Sequence, residues 1–208
     1  MPQIETARLL LRMFSRADLD ELSRIYADPD VMQYVSGHPL TREEAADWLN
    51  YFLAGWDQYG FGWWAVSLKD SGALIGHCGL QFITVTAEVE VSYGLAKAYW
   101  RKGLASEAAQ ACLRFGFEQL KLDRIFALAD PANTGSHRVM QRLGMRYDKT
   151  EYFKDDRYEG DVVYYVVSRE EYQRDDSPYR MRAVAGDEAH RSFSQAFEQR
   201  RQESEINH

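Results

Sequence analysis

Apolar residues recur along the chain at two different spacings. In some segments they alternate with polar residues or form short apolar runs, as in β-strands, and in others they recur every three or four residues, as in amphipathic helices. The strand-like segments are 6–14, 61–69, 74–83, 86–95, 124–129, 145–153 and 160–168. The helix-like segments are 15–28, 42–59, 104–121 and 135–143. The predicted order is therefore β-α-α-β-β-β-α-β-α-β-β.

Polar residues at the starts of the first two helices support this division. Ser15 with Asp18, and Thr41 with Glu44, have the spacing of a capping box, in which a side chain at each end satisfies a free backbone N–H group. Residues 31–40 lack periodicity, so we expect a loop between these two helices.

The order of elements predicts an α/β fold of one mixed sheet with helices on both faces. One βαβ unit lies among strands that follow one another closely, and such a chain builds a mostly antiparallel sheet. We expect a single domain over residues 1–173. Residues 174–208 are rich in charged and polar residues, so we expect either a disordered tail or a helix over 186–203 that docks on a partner, including a second copy in a homodimer.

Charge, hydropathy and cysteine content argue against nucleic-acid, membrane and metal partners. The 208 residues carry a formal net charge of −7 and no cluster of Lys and Arg, so we expect no nucleic-acid partner. No apolar run reaches the ~18–20 residues of a membrane span, and no signal peptide is evident, so we expect no membrane and a cytoplasmic location. Cys78 and Cys112 lie in apolar stretches without metal-site spacing, which favours two reduced core thiols and no metal.

The segment from strand 86–95 into helix 104–121 has the features of an anion-binding element. Gly103 and Ala105 are small, which allows a ligand to approach the backbone where the free N–H groups of a helix start point outward. Arg101 and Lys102 add positive charge, and Ser106 can cap the turn or donate to a phosphate oxygen. The alternative is an ordinary strand-to-helix junction that needs a flexible residue.

The residues of this turn resemble a known cofactor loop. Segment 99–108 (YWRKGLASEA) is similar to the acetyl-CoA pyrophosphate loop of the GCN5-related N-acetyltransferase (GNAT) superfamily, whose pattern is Gln/Arg-x-x-Gly-x-Gly/Ala. Gly103 and Ala105 occupy the two small positions. Trp100 replaces the usual Gln or Arg, and Arg101 replaces a common Gly; the Tyr-Trp variant resembles the branch of ribosomal-protein N-terminal alanine acetyltransferases.

Further motifs resemble that branch in the same order. They are 6–12 (TARLLLR) in the first strand, 74–80 (LIGHCGL) in the third, 133–136 (NTGS), and 143–145 (LGM). The resemblance covers about residues 6–170. It implies a sheet splayed at its central parallel strands and direct transfer of an acetyl group from acetyl-CoA to an amine.

Glu90 is the candidate general base. On strand 86–95, Glu90 and Ser92 share one face while Val89 and Val91 share the other. The resembled branch often carries a Glu at this position that acts through ordered water. Glu88 lies on the same face and is a rival, and a solvated strand carboxylate is the structural alternative for both.

The resemblance assigns cofactor contacts and one more catalytic candidate. The cofactor loop comprises Arg101, Lys102, Gly103, Leu104, Ala105 and Ser106, and Leu95 matches a position whose backbone contacts the pantetheine arm. Asn133 is expected to hydrogen-bond the cofactor amides, although it can equally cap the next helix. Ser136 is expected near the departing sulfur, with helix capping as the alternative.

The acceptor side is less specific. Tyr34, His38, Trp63 and Tyr152 are candidates for an amine-binding pocket, although aromatic residues there can equally be core. His77, in an apolar strand, is expected to be a core histidine. Arg138 and Arg142 can reach the 3′-phosphate or ribose, but a solvated helix face is the simpler interpretation.

The sequence thus predicts an N-acetyltransferase that uses acetyl-CoA, with no metal. The acceptor is left open among a protein N-terminus, an amino sugar, a polyamine and a free amino acid. Two alternatives are an inactive CoA-binding sensor or assembly module, and a transferase that uses another acyl donor such as succinyl-CoA.

Overall fold

The structure is a computed structural model that describes residues 2–155 and 158–182. Its strands are β1 (Gln3–Glu5), β2 (Leu9–Met13), β3 (Trp63–Leu68), β4 (Leu74–Ile83), β5 (Glu88–Leu95), β6 (Arg124–Ala129), β7 (Arg146–Lys154), β8 (Glu159–Ser168) and β9 (Arg180–Arg182). Its helices are α1 (Leu19–Tyr26), α2 (Pro29–Met32), α3 (Arg42–Tyr59), α4 (Leu104–Glu118) and α5 (Thr134–Arg142). The described strands form one sheet in the order β7-β8-β6-β5-β4-β3-β2-β1-β9.

Side-chain alternation along β3 divides the core between the two faces of the sheet. Trp64 and Val66 pack in the cluster that includes α4 and the end of α5. Trp63 and Ala65 point the other way, into the cluster that contains residues of α1 and α3. The prediction of helices on both faces is therefore confirmed.

The parallel contact in the middle of the sheet is short. Glu90 of β5 and Phe126 of β6 form a single paired position, whereas the other strand pairs of the described sheet are antiparallel. After Glu90, β5 and β6 separate, while β5 stays paired with β4 and β6 stays paired with β8. The mixed, mostly antiparallel sheet is confirmed, and the divergence of β5 and β6 opens the space in which the candidate site lies.

Helix starts agree with the capping chemistry. The Glu44 N–H donates to Thr41 Oγ1 at 3.2 Å, and the Thr41 N–H donates to Glu44 Oε2 at 2.7 Å, so this capping box is formed. The Ser15 N–H donates to Asp18 Oδ2 at 2.7 Å. Asp18 also pairs with Arg12, at 2.6 Å, which ties the first helical turn to β2.

Two local predictions were wrong. The first strand was expected over 6–14, but within that range only Leu9–Met13 is a strand. Residues 6–8 form a turn in which the Thr6 N–H donates to Leu9 O at 2.9 Å, and the additional strand β1 precedes the predicted range. The loop expected over 31–40 begins later than expected, because α2 extends to Met32. The start of α2 is fixed by Asp28, whose side chain accepts from the Asp30 N–H, and by Pro29 in the first turn.

Part of the segment expected to lie outside the domain belongs to the sheet. Residues 169–179 return across α4, where the Tyr172 ring lies 4.8 Å from that of Phe117 and the Tyr179 ring lies 4.3 Å from the Arg114 guanidinium. Strand β9 then pairs with β1. The expectation of a disordered tail or docking helix is therefore wrong for 180–182, and the helix expected over 186–203 falls outside the described residues.

Both cysteines are buried free thiols, with Cys78 Sγ 3.4 Å from Cys112 Sγ. Within the described residues, no helix combines the length and apolar character needed to cross a membrane.

A candidate active site at the diverging strands

A cavity of about 170 Å³ lies where β5 and β6 separate. Its walls come from these two strands, the start of α5 and the β7–β8 hairpin, with aromatic side chains from α3, β3 and the loop after α2. Five residues predicted from the sequence line this cavity. Three were assigned to acyl transfer or the cofactor, Glu90, Asn133 and Ser136, and two were assigned to the acceptor, Tyr34 and Trp63. Elements far apart in sequence therefore meet at this divergence of the sheet.

Glu90 is buried, with 7 % of its surface exposed, and its carboxylate is held by two neighbours. Gln81 lies directly opposite on β4 and donates a short hydrogen bond from Nε2 to Glu90 Oε2. The Leu128 N–H of β6 donates to Glu90 Oε1 at 3.4 Å. Burial raises the pKa of Glu90 to about 7, although both hydrogen bonds act in the opposite direction. A carboxyl group with this pKa can both accept and return a proton near neutral pH.

Glu88 lies elsewhere. Its carboxylate is partly exposed and forms an ion pair with Arg124 at 3.3 Å, and it does not line the cavity. Between the two glutamates, the structure places only Glu90 in the candidate site, together with Ser92 from the same face of β5.

Tyr93 and Ser136 form a hydroxyl pair in the cavity wall. The Tyr93 hydroxyl lies 2.9 Å from Ser136 Oγ and also donates to the Ser136 carbonyl at 3.2 Å. Each hydroxyl carries one proton and either can donate in the 2.9 Å contact; when the phenol donates to Ser136 Oγ, the serine proton is left for another acceptor. Burial raises the pKa of Tyr93 above its usual value, so the phenol remains protonated at neutral pH. Tyr93 was missed from the sequence, since strand alternation groups it with the apolar Val91.

Asn133 caps α5. Its Oδ1 accepts from the Ser136 N–H at 3.0 Å, which is the capping role considered as an alternative. This contact uses the acceptor end of the amide and fixes the side chain at the cavity wall beside Ser136.

The predicted cofactor loop, residues 101–106, has an unusual backbone. Arg101 and Gly103 have φ of +59° and +75°, in the left-handed region, and Gly103 is the residue before the first turn of α4. In the described part of the chain, the backbone N–H groups of residues 101–106 donate to no other protein group. Ser106 Oγ is likewise buried without a partner there. Leu104 contributes a buried side chain to the core, and Ala105 packs partly against it.

Arg8 fixes this loop to the β1–β2 turn. Arg8 Nη1 donates to the Lys102 carbonyl at 2.9 Å, and Nε donates to Glu107 Oε2 at 2.6 Å. Glu107 Oε1 also accepts from the Arg8 N–H at 2.8 Å and from Thr6 Oγ1 at 2.6 Å. These contacts hold the loop in a geometry that its left-handed residues would not maintain alone.

Leu95 and Trp100 are linked in the same region. The Trp100 indole Nε1 donates to the Leu95 carbonyl at 2.6 Å, so the residue that departs from the family pattern supports the end of β5. A carbonyl oxygen has two lone pairs, so this contact leaves acceptor capacity at Leu95.

The other predicted residues lie outside the cavity wall. His38 is exposed, with Nδ1 2.9 Å from the Ser36 carbonyl, and Tyr152 is 60 % exposed with its hydroxyl on Glu159. Arg138 and Arg142 are exposed on α5. His77 is a core histidine, as expected: its Nδ1 lies 2.7 Å from the Tyr26 hydroxyl, and burial lowers its pKa to about 4.

Several cavity residues were not anticipated, namely Gln81, Tyr93, Asp130, Asp155 and Tyr158. For Gln81 a signal was present, because a hairpin between β4 and β5 places position 81 opposite position 90. Asp130 and Asp155 follow strands and were assigned only to turns.

Comparison with known proteins identifies the family. The family described as "Acetyltransferase (GNAT) domain" matches residues 8–146, well over half of the chain. The Bacillus subtilis (strain 168) protein YkkB is 36 % identical over 71 % of this chain and 87 % of its own length. The N-acetyltransferase YnaD of the same organism is 35 % identical over 81 % of this chain and 98 % of its own. A GNAT-family acetyltransferase structure from Bacillus anthracis superposes with a TM-score of 0.70 at 31 % identity, covering 81 % of this chain and 99 % of that one.

The family match spans residues 101–106 and the strand that carries Glu90, which confirms the family resemblance seen in the sequence motifs. The chain therefore belongs to the GNAT family and is an acyltransferase of the N-acetyltransferase type.

Proposed function

We propose that this enzyme transfers the acetyl group of acetyl-CoA to a primary amine by direct attack within a ternary complex, with Glu90 as the general base. The observation that carries the proposal is the buried Glu90 carboxyl, whose pKa is raised to about 7 by burial, in a cavity where strands β5 and β6 diverge. A primary amine is mostly protonated at neutral pH and must lose a proton before it can attack. Glu90 accepts that proton, through an intervening water as the resembled branch does.

We assign the Tyr93–Ser136 pair to the departure of the CoA thiolate. A thiolate leaves when the acyl group is transferred, and a nearby hydroxyl stabilises it by donating a hydrogen bond or a proton. Ser136 lies in the first turn of α5, and the neutral Tyr93 phenol, by donating to Ser136 Oγ across 2.9 Å, leaves the serine proton for the sulfur. We assign Ser136 to the departing sulfur and Tyr93 to positioning Ser136.

The cofactor loop fits a diphosphate. A diphosphate supplies oxygen acceptors, and residues 101–106 supply N–H donors without protein partners in the described chain, together with the unpaired Ser106 hydroxyl. Arg101 and Lys102 add positive side chains, while the Leu95 backbone and Asn133 are assigned to the pantetheine arm. The buried free thiols of Cys78 and Cys112 support a reducing compartment, and we propose the cytoplasm.

The test is release of free thiol from acetyl-CoA across a panel of amines and N-terminal peptides, with succinyl-CoA as the competing donor. The proposal predicts thiol release with acetyl-CoA that depends on the amine. Ser136→Ala should lower kcat while acetyl-CoA still raises the melting temperature, and Tyr93→Phe should lower kcat less. If no amine stimulates thiol release although acetyl-CoA binds, the chain is a CoA-binding module, not a catalyst.

A further inference from the structure

Gln81 is a polar residue in a strand whose neighbouring side chains are buried. The residues on either side of it in β4, Leu80 and Phe82, belong to the hydrophobic core. A glutamine in such a position is costly unless its amide is hydrogen-bonded. The amide of Gln81 meets this requirement in the candidate site, where it lies directly opposite Glu90.

The two ends of the Gln81 amide have different partners. Nε2 donates a short hydrogen bond to Glu90 Oε2, and Oε1 accepts from the Tyr51 hydroxyl of α3 at 3.4 Å. In the reverse orientation the amide carbonyl would face a carboxylate oxygen, and neither group could donate. Gln81 therefore presents a donor to Glu90 and connects this carboxyl group to α3.

The hydrogen bonds make the two oxygens of the Glu90 carboxyl group unlike each other. Gln81 holds Oε2 by a short contact, whereas Oε1 accepts from the Leu128 N–H across 3.4 Å, which is longer than an ordinary hydrogen bond. Oε1 therefore keeps the greater capacity to accept a proton. The bond to Oε2 fixes where Oε1 lies.

We propose that Gln81 is a positioning residue for acetyl transfer, which orients the Glu90 carboxyl group and stabilises its ionised form. This inference rests on the proposed function and deepens it, because the ionised carboxylate is the form that accepts the amine proton. An amide N–H bonds more strongly to a carboxylate than to a neutral carboxylic acid, so Gln81 favours ionisation where burial opposes it. Gln81 acts through Glu90 and takes no proton itself.

Other ionisable groups also surround Glu90. On the packed elements they are tyrosines and carboxyl groups, namely Tyr51 on α3, Glu88 and Tyr93 on β5, Tyr164 on β8, Asp130 after β6, and Asp155 and Tyr158 in the β7–β8 hairpin. Burial raises the pKa of Tyr93, Tyr158 and Tyr164, so these phenols stay neutral near neutral pH. Replacement of Gln81 leaves all of these groups in place, so a change in the ionisation of Glu90 can be assigned to Gln81.

Gln81→Met removes the donor and keeps an unbranched side chain of similar length. The ionised Glu90 carboxylate then loses a hydrogen bond, so its pKa should rise by about one pH unit, which is a ten-fold weaker ionisation. The measurement is kcat/KM of the variant divided by that of the wild type, for one amine at saturating acetyl-CoA. The ionisation of the amine cancels in this ratio, which should increase roughly ten-fold from about pH 6 to about pH 9.5.

Gln141→Met is the matched control. Gln141 also donates from Nε2 to a side-chain oxygen, the Tyr165 hydroxyl at 3.3 Å, but it lies on α5 outside the cavity. Its ratio to the wild type should not vary with pH. Gln81→Leu, which also lacks a donor, should reproduce the pH dependence of Gln81→Met, whereas a merely structural role of Gln81 would lower the ratio equally at every pH.

Titration of the Glu90 carboxyl carbon by ¹³C NMR separates this inference from the proposed reaction, because it needs no turnover. The signal is identified by its loss in Glu90→Gln, and its midpoint should lie about one pH unit higher in Gln81→Met than in the wild type. An equal or lower midpoint, or a kcat/KM ratio that does not vary with pH, would overturn the role of Gln81 while leaving acetyl transfer intact. A raised midpoint without thiol release from any amine would support the action of Gln81 on Glu90 and contradict the proposed reaction.

Discussion

Replacement of Glu90 by Gln should make the protein more stable at alkaline pH. The pKa of Glu90 rises from 4.5 to about 7 on folding because the carboxyl group is buried. Between these values the folded state binds more protons than the unfolded state, so this group lowers the stability of the wild-type protein as pH rises. The amide side chain of the variant has no charge to desolvate, so the variant does not undergo that loss.

The expected change in unfolding free energy follows from the pKa shift of Glu90. Each pKa unit corresponds to ~1.36 kcal/mol, so the free energy of unfolding of Glu90→Gln relative to wild type should increase by about 2.5 kcal/mol between about pH 5 and about pH 8. Comparing two pH values removes any pH-independent effect of the amide on its neighbours Gln81 and Leu128. The assay is urea unfolding of both proteins at each pH, on the same spectroscopic signal.

Glu88→Gln is the control, because Glu88 is partly exposed, forms an ion pair with Arg124 and lies outside the cavity. It should not show the gain at high pH. A Glu90→Gln difference that stays constant from about pH 5 to about pH 8 would refute the raised pKa and remove the physical basis for a base at this position. A variant that is more stable but inactive would show that the cost of burying this carboxyl serves catalysis.

The other predictions concern the cofactor loop and the core. Gly103→Ala should cost about 1 kcal/mol of unfolding free energy, since φ is +75° there, and should raise KM for acetyl-CoA; unchanged urea unfolding and kinetics would contradict the strained turn. Arg8→Lys cannot make the paired contacts to the α4 carboxylate and the loop carbonyl, so KM for acetyl-CoA should rise roughly ten-fold with kcat nearly constant. Arg24→Ala, at an exposed position of α1, is its control, and an equal KM in both variants would remove the role of Arg8. The His77 imidazole should stay neutral at about pH 5.5 by ¹⁵N NMR, because burial lowers its pKa to about 4. The stability that the neutral ring contributes should be lost as pH falls from about 6.5 through about 4. A protonated ring at about pH 5.5 would contradict the lowered pKa.

Sequence patterns were enough to predict the features that depend on residues close together in the chain. The order of the main elements, the Thr41–Glu44 cap and the separation of Glu90 from Val89 and Val91 all follow from spacing within a few residues. The Gly103 turn was also local, because a left-handed residue before a helix is a backbone requirement that glycine meets most easily.

Long-range contacts account for what the sequence did not show. Strand β9 exists because residues 180–182 pair with the edge of β1, far away in the chain, and no periodicity of their own marks them as a strand. Tyr93 alternates with apolar residues, so the sequence pattern groups it with the core, and only the fold places Ser136 of α5 against it. The charge of the cavity likewise emerges only when the turn after β6 meets the β7–β8 hairpin.

The pH dependence of kcat/KM for the amine, at saturating acetyl-CoA, tests the central claim most directly. We expect an acidic limb with an inflection near the Glu90 pKa of about 7 in the wild type. In Glu90→Gln the inflection near 7 should disappear with a large loss of rate, leaving only the limb set by the pKa of the amine itself, while KM for acetyl-CoA is retained. An identical profile and rate in the two proteins would contradict the assignment of Glu90 as the base.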